Sequence, residues 1–177
     1  GWFKNTTMKV FGEERKNMHG WIGSDFKYIN DEFFLNLFNI NYLLITEEEV
    51  SSLNNEKFIF QNKIITKNHN IILYKRDVKN FSLNEEGFLK LKKSLNSCKI
   101  LILDCILNNN KHFQESNFSI DRISNGKFLI SNQNSSHQYL FLPFIYDNNW
   151  HSESSEFENL EGFMFLKNKG TSNKILI

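Results

Sequence analysis

Alanine is absent from this 177-residue chain, proline occurs once, at Pro143, and cysteine twice, at Cys98 and Cys105. With Asn, Lys, Ile and Phe abundant, the missing alanine reads as the codon choice of an AT-rich genome, not as a functional low-complexity bias. No apolar run approaches the ~20 residues that span a bilayer, and the start lacks the basic, apolar and small-residue order of a signal peptide. The piece is therefore expected to be water-soluble. No excess of one charge exists either: 21 Lys and Arg are interspersed with 20 Asp and Glu, for a net charge of +1. Without a long-range field, nucleic acid is excluded as an expected partner. The opening Gly1-Trp2-Phe3, without Met, reads as a piece excised from a longer protein. At this length a domain buries about two-thirds of its unfolded surface, so a core without staples is feasible.

Residues 99–107 form a run of branched apolar side chains that predicts a central strand. If Cys98 and Cys105 lie on one strand, seven steps of ~3.3 Å hold the sulfurs apart, and no disulfide is expected. Cysteine usage then leaves the compartment open.

Asn30 and Asp31 precede Phe34, Leu37 and Phe38 at i, i+3 and i+4, which predicts a short capped helix. A buried strand over 42–45 follows, and Thr46 with Glu49 has capping-box spacing for a short helix over 47–54. Residues 57–60, 63–66 and 71–74 read as a three-strand meander, divided at Gln61-Asn62 and at residues 68–70. Ser82 with Glu85 suggests another capping box, opening a helix that shows Phe88, Leu91 and Leu95 on one face and Lys90, Lys92 and Lys93 on the other. Beyond residue 110 strand-like runs recur at 118–123, 127–131, 138–146, 162–166 and 174–177. Pro143 inside the longest run argues for an edge strand or a bulge. The expected class is α+β: an α/β lobe over residues 1–110, then an antiparallel, jelly-roll-like β-sandwich over 111–177, packed as one unit.

Motifs for chemistry are sparse. Serines with His137, His151 and Asp147 lack a Gly-x-Ser-x-Gly elbow, so no Ser-His-Asp catalytic set is assigned. Neither histidine sits in a metal-ligand spacing, and Gly20 and Gly23 lack the context of a phosphate loop, so no metal and no cofactor is expected. Glycoside hydrolysis needs two facing carboxyls, for which Asp25, Asp104, Asp121 and Asp147 are candidates. Asp104, near the end of the predicted buried strand, is the acid that desolvation would raise. The four Asn-x-Ser/Thr sequons are what an Asn-rich chain generates by chance. The more informative pattern is aromatic. Trp21 with Asp25, and Tyr146-Asp147-Asn148-Asn149-Trp150-His151, pair a ring on which a sugar face stacks with side chains that hydrogen-bond hydroxyls. The candidate glycan-binding residues are thus Trp21, Asp25, Asp147, Trp150 and His151, against a plainer reading in which each tryptophan closes the core.

Two stretches carry a family resemblance. His19-Gly20-Trp21-Ile22-Gly23-Ser24-Asp25 followed by Leu35-Asn36-Leu37-Phe38-Asn39-Ile40-Asn41-Tyr42-Leu43-Leu44-Ile45 is similar to the "gYds" and "lLNVkYvi" segments of bacterial YfhO-family and related glycosyltransferase-C-type membrane proteins. Tyr139-Leu140-Phe141-Leu142-Pro143-Phe144-Ile145-Tyr146-Asp147-Asn148-Asn149-Trp150 is similar to their "LvlsipYdkGW" strand and turn. Ile72-Leu73-Tyr74-Lys75-Arg76 stands where they have "vYeN". Asn149 replaces the glycine before the tryptophan, and no "vDGk" hairpin follows Trp150. The resemblance implies a multi-spanning parent that moves sugars from polyprenyl-linked donors onto envelope glycopolymers, with its catalytic carboxylates outside this piece. It implies a non-catalytic extracytoplasmic domain whose partners are a glycan or polyprenyl-linked sugar and the membrane part of its own parent. The alternatives are a free-standing glycan hydrolase using an acid pair that includes Asp104 or Asp147, and a protein-interaction module pairing through a sandwich edge near Pro143.

Overall fold

In the computed structural model, which describes residues 30–53, 57–67, 70–124, 126–132, 139–152, 155–168 and 174–176, the chain has a mixed α+β fold with antiparallel sheets. Two compact units are present, dividing between Lys79 and Asn80.

In the first unit, Asp31 caps α1 (Glu32–Leu37) as expected, its Oδ1 accepting from the Phe34 N–H at 3.0 Å. Phe34, Leu35, Asn36 and Leu37 are buried. Beyond the C-cap Phe38 the chain turns away at Asn39, whose φ of 52° is one that an Asn side chain tolerates. β1 (Tyr42–Thr46) leads into a 3-10 turn (Glu47–Ser52), where the Thr46 N–H donates to Glu49 Oε2 at 2.9 Å. β2 (Ile59–Ile65) and β3 (Asn70–Lys75) complete an antiparallel sheet of order β1-β3-β2. The expected turn at Gln61-Asn62 is instead a register shift inside one continuous β2, because a bulge absorbs an extra residue without breaking the strand. β1 is an edge strand with Ile45 as its buried residue, not the fully buried strand expected. Ile45, Ile72 and Tyr74 bury one face of β1 and β3, while β2 is exposed along its length.

Arg76, just past β3, is 3% exposed. Its Nη2 donates to Asn36 Oδ1 at 2.8 Å and its Nη1 to the Ile40 carbonyl at 3.3 Å, tying β3 to the C-terminal end of α1. Asn36 Oδ1 also accepts from the Lys79 N–H at 3.2 Å. Burial pulls the guanidinium below its ordinary value, with Glu32 and Asp77 opposing.

The second unit opens with β4 (Asn80–Leu83) and α2 (Glu85–Asn96). The helix and its buried face of Phe88, Leu91 and Leu95 are as the periodicity predicts, but the cap is not. Asn84 Oδ1 accepts from the Gly87 N–H at 2.8 Å, while Ser82 is buried in β4, because the sheet claims the backbone up to Leu83. Gly87 sits in a tight place: a Cβ there would meet Asn84 Oδ1 at 3.1 Å and the His112 carbonyl at 3.3 Å, so a larger residue needs both to give by a few tenths of an ångström.

Residues 99–107 are not a strand. α3 (Ile102–Asn108) occupies the run, burying Ile102, Leu103, Cys105 and Ile106 on one helical face. A short apolar run satisfies either period, and here the 3.6-residue one prevails. The shorter rise of a helix, with the turn at 98–101, brings the Cys98 and Cys105 Cα atoms to 6.3 Å, and the two form a disulfide. The expectation of free thiols failed with the strand on which it rested.

After a 3-10 turn (Asn110–His112) come β5 (Gln114–Ser116), β6 (Phe118–Ser124), β7 (Lys127–Asn132), β8 (Tyr139–Ile145), β9 (Glu156–Leu160), β10 (Phe163–Lys167) and β11 (Lys174–Leu176). They form two antiparallel sheets, β5-β4-β8-β10-β9 and β11-β7-β6. β8 is flanked on both sides only at Tyr139 and Leu140, where β4 pairs with it, so Pro143 lies on a stretch of the strand that β4 does not reach. The bulge alternative holds: the β8–β10 register passes from Leu142↔Met164 to Ile145↔Phe163, leaving Pro143 and Phe144 unpaired, and β4 reaches only Leu140 and Tyr139. Alternation divides the core. Leu140, Leu142, Met164 and Leu166 cluster with Phe118 and Ile130 of the second sheet. On the opposite face, Phe165 packs on Phe88, Phe113 and Phe141, and Tyr139 stacks on Phe88 with centroids 3.8 Å apart.

Candidate functional site

The turn following β8 holds three of the five residues singled out for glycan contact. Its shape comes from Asp147, which starts an Asx turn: Oδ1 accepts from the Asn149 N–H at 2.8 Å, and its carbonyl accepts from the Trp150 N–H at 3.1 Å. The Tyr146 N–H donates to the Gly162 carbonyl at 3.0 Å, tying the turn to the β9–β10 hairpin. Glu161 and Gly162 turn that hairpin at φ 53° and 94°, and Asn159 Oδ1 accepts from the Gly162 N–H at 2.8 Å.

Trp150 is half-buried. Its ring stacks on Phe144 with centroids 5.5 Å apart and an interplanar angle of 18°, and lies 5.9 Å from Phe128. These rings pack against the cluster between the two sheets. The tryptophan thus does what the plainer reading assigned it, closing the core, while remaining partly open to solvent. Around it Asp147, Asn148, Asn149 and His151 are exposed. A half-buried indole in the same turn as an exposed carboxylate, two carboxamides and an imidazole has the composition for hydrogen bonding to vicinal hydroxyls over an apolar sugar face. Trp21 and Asp25 lie outside the described residues, as does His137.

Asp104 sits in the first turn of α3, half-buried, where the sequence placed it at a strand end. Asp121 lies exposed in β6, accepting from Ser119 Oγ at 3.1 Å. No three His, Cys, Asp or Glu side chains converge among the described residues.

One polar constellation was missed. The buried Tyr139 directs its hydroxyl to Glu85 at 3.1 and 3.2 Å, and Lys167 Nζ stands 5.6 Å from the Tyr139 ring centroid. Burial raises the phenol, and hydrogen bonding to it raises the Lys167 ammonium. Pairing of β8 with β10 sets Tyr139 opposite Lys167, and α2 supplies Glu85 from 54 residues upstream, so no local spacing announces the group. With its aromatic face covered by Phe88, it anchors α2 to the sheet. No protein-family model, curated protein or solved structure matches the chain.

Proposed function

We propose that this chain is a non-catalytic extracytoplasmic domain of a membrane glycosyltransferase-like protein, and that the turn over residues 147–151 binds a cell-envelope glycan. The observation that carries this reading is the turn itself: a half-buried indole with exposed Asp147, Asn148, Asn149 and His151 beside it. Two further features support it. The Cys98–Cys105 disulfide suits an oxidising compartment. Packing of Phe118 and Ile130 against Leu140, Leu142, Met164 and Leu166 of the neighbouring sheet supports a jelly-roll-like sandwich as the finer architecture. Among the described residues no helix is long and apolar enough to cross a membrane, so membrane attachment belongs to the proposed parent. The hydrolase alternative needs two carboxyls flanking one bond, and neither Asp104 on its helix nor Asp147 in its turn provides an observation that favours it.

Calorimetric titration of the chain with soluble teichoic acid, peptidoglycan fragments and polyprenyl-phosphate sugars tests the reading. Saturable binding that disappears in Asp147→Ala/His151→Ala, with the far- and near-ultraviolet circular dichroism unchanged, supports it. Trp150→Ala alone is insufficient, since it also removes the Phe144 contact. Binding that survives the double substitution, or no binding to any of the three, sinks the glycan assignment.

A further inference from the structure

α3 is a seven-residue helix, shorter than the ~12 residues an isolated helix needs to persist in water. Leu101, at its N-cap position, supplies no side-chain hydrogen bond. Its attachments are therefore tertiary. Ile102, Leu103, Cys105 and Ile106 are buried, Asn109 Nδ2 donates to the Cys105 carbonyl at 2.7 Å and to Ser94 Oγ at 2.9 Å, and the Cys98–Cys105 bond ties the helix to the end of α2. The bridge is asymmetric. Cys105 is 8% exposed, whereas Cys98 is half-buried at the surface turn, beside the exposed Lys99, Ile100 and Leu101. None of these attachments is shared with the strand pairing of β8 and β10, whose residues Leu140, Leu142, Met164 and Leu166 are fully buried.

We propose that the Cys98–Cys105 bridge is a reducible clasp: opening it releases residues 99–112 by local unfolding while the sheets of the same unit stay folded. The exchange starts at the accessible sulfur. A thiolate of a dithiol reductant attacks Cys98 Sγ, forming a mixed disulfide, and Cys105 leaves as thiolate and takes up a proton. The reductant's second thiol, deprotonated, attacks its own sulfur in the mixed disulfide, and Cys98 leaves and is protonated. Two electrons and two protons pass to the protein, and the reductant departs as its cyclic disulfide. Release would join the buried Ile102, Leu103 and Ile106 to the exposed Ile100 and Leu101 in one apolar segment, the composition that quality-control and aggregation machinery recognise. Closing the loop would thus hide this segment only once the chain has been oxidised.

The test is hydrogen–deuterium exchange of the whole chain with and without dithiothreitol, with iodoacetamide counting the thiols. Losing the cross-link should raise exchange over 99–112 about fiftyfold, while 139–145 and 163–167 remain protected. Unchanged protection after both thiols have been alkylated overturns the proposal, as does a bridge that opens only in denaturant. Loss of protection across the sheets as well makes the bond a global staple and overturns it too. Cys98→Ser/Cys105→Ala must reproduce the reduced pattern without reductant; a double variant that fails to fold counts against the clasp in the same way.

Discussion

The sheet of residues 80–177 that contains β8 and β10 is covered on both faces, whereas the sheet of residues 22–79 buries one face of β1 and β3 and leaves β2 exposed. In the former, Leu140, Leu142, Met164 and Leu166 meet one apolar layer while Tyr139, Phe141 and Phe165 meet Phe88 or Phe113, and Phe163 packs on Phe141. In the latter, Ile45, Ile72 and Tyr74 are buried, but Tyr42, Leu44, Ile59 and Ile64 on the other face are about half-exposed, and Ile65 at the β2 edge is 78% exposed. The strands of the less covered sheet are not short of apolar residues, as Tyr42, Leu43, Leu44, Ile45, Ile71, Ile72, Leu73 and Tyr74 show. What separates them is the number of layers, since a side chain contributes its transfer free energy only where a second surface excludes water.

The largest contrast should appear on truncation. Phe165→Ala removes a fully buried ring in contact with three others and should cost about 3–5 kcal/mol, read as a fall in the urea midpoint. Ile65→Ala, at the exposed edge of β2, should cost less than about 0.5 kcal/mol. Equal costs would mean that β2 is covered in solution and that the comparison fails.

The first unit compensates for its single apolar layer with a buried polar clamp. Asn36→Ala strips the acceptor from Arg76 Nη2 and from the Lys79 N–H, leaving a buried guanidinium short of a partner. The expected cost is about 2–3 kcal/mol, and Asn36→Leu combined with Arg76→Met should recover part of it, since no buried guanidinium is then left short of a partner, although the Lys79 N–H and the Ile40 carbonyl still lose theirs. Urea melts of the single and double variants decide this. A double variant as unstable as the single would show that the clamp is needed for its own hydrogen bonds and shape and not merely to satisfy the guanidinium.

How much of this was legible in the sequence depends on whether the cause was local. Asp31 before Phe34 and Leu37, and Phe88, Leu91 and Leu95 at helical spacing, needed nothing beyond their own segment, and both helices are where the pattern put them. β6, β7, β8 and β10 likewise follow their alternating or apolar runs. β9 was missed because Glu156-Phe157-Glu158-Asn159-Leu160 is too polar to announce a strand, and its pairing with β10 makes it one. Residues 99–107 failed because an apolar run fits either period, and the disulfide failed with it. Of the site, the composition of 147–151 was readable, but the seating of Trp150 on Phe144 and Phe128 was not, since those partners come from other strands.

Two candidates for the α2 cap, Ser82 and Asn84, separate a motif read by spacing from a bond that is made. Asn84→Ala should cost about 1 kcal/mol by thermal or urea melting, because the Gly87 N–H loses its acceptor. Replacing Asn84 with Asp should retain most of that, as a carboxylate also accepts at a helix N-terminus. Ser82 lies within β4, and its Oγ stands 3.5 Å from the Gln114 carbonyl, at the limit of a hydrogen bond. If Ser82→Ala lowers helix protection as much as Asn84→Ala, the capping box inferred from Ser82 and Glu85 operates after all.

The smallest effect is electrostatic and lies in the first unit. Glu32 is held below the usual carboxylate value of 4.5 chiefly by its hydrogen bond from Lys57, against a partial desolvation that acts the other way; the charges of Lys57, Lys79 and Arg76 add to the lowering. A carboxyl depressed in the folded state contributes its stability above the unfolded value, and loses it as the pH falls through the folded one. The window therefore opens just below pH 4.5 and extends downward. Since the Lys57 and Glu32 side chains are 49% and 36% exposed, solvent screens the pair, and its contribution should stay below about 0.5 kcal/mol. Lys57→Met should accordingly be slightly less stable than the parent near neutrality, with the difference closing as the pH falls through the folded value of Glu32 and both proteins carry it protonated. A gap that persists in acid would mean that Lys57 supports α1 through the packing of its aliphatic stem, as long cationic side chains do on apolar surfaces, and that the ion pair contributes nothing measurable to the unit.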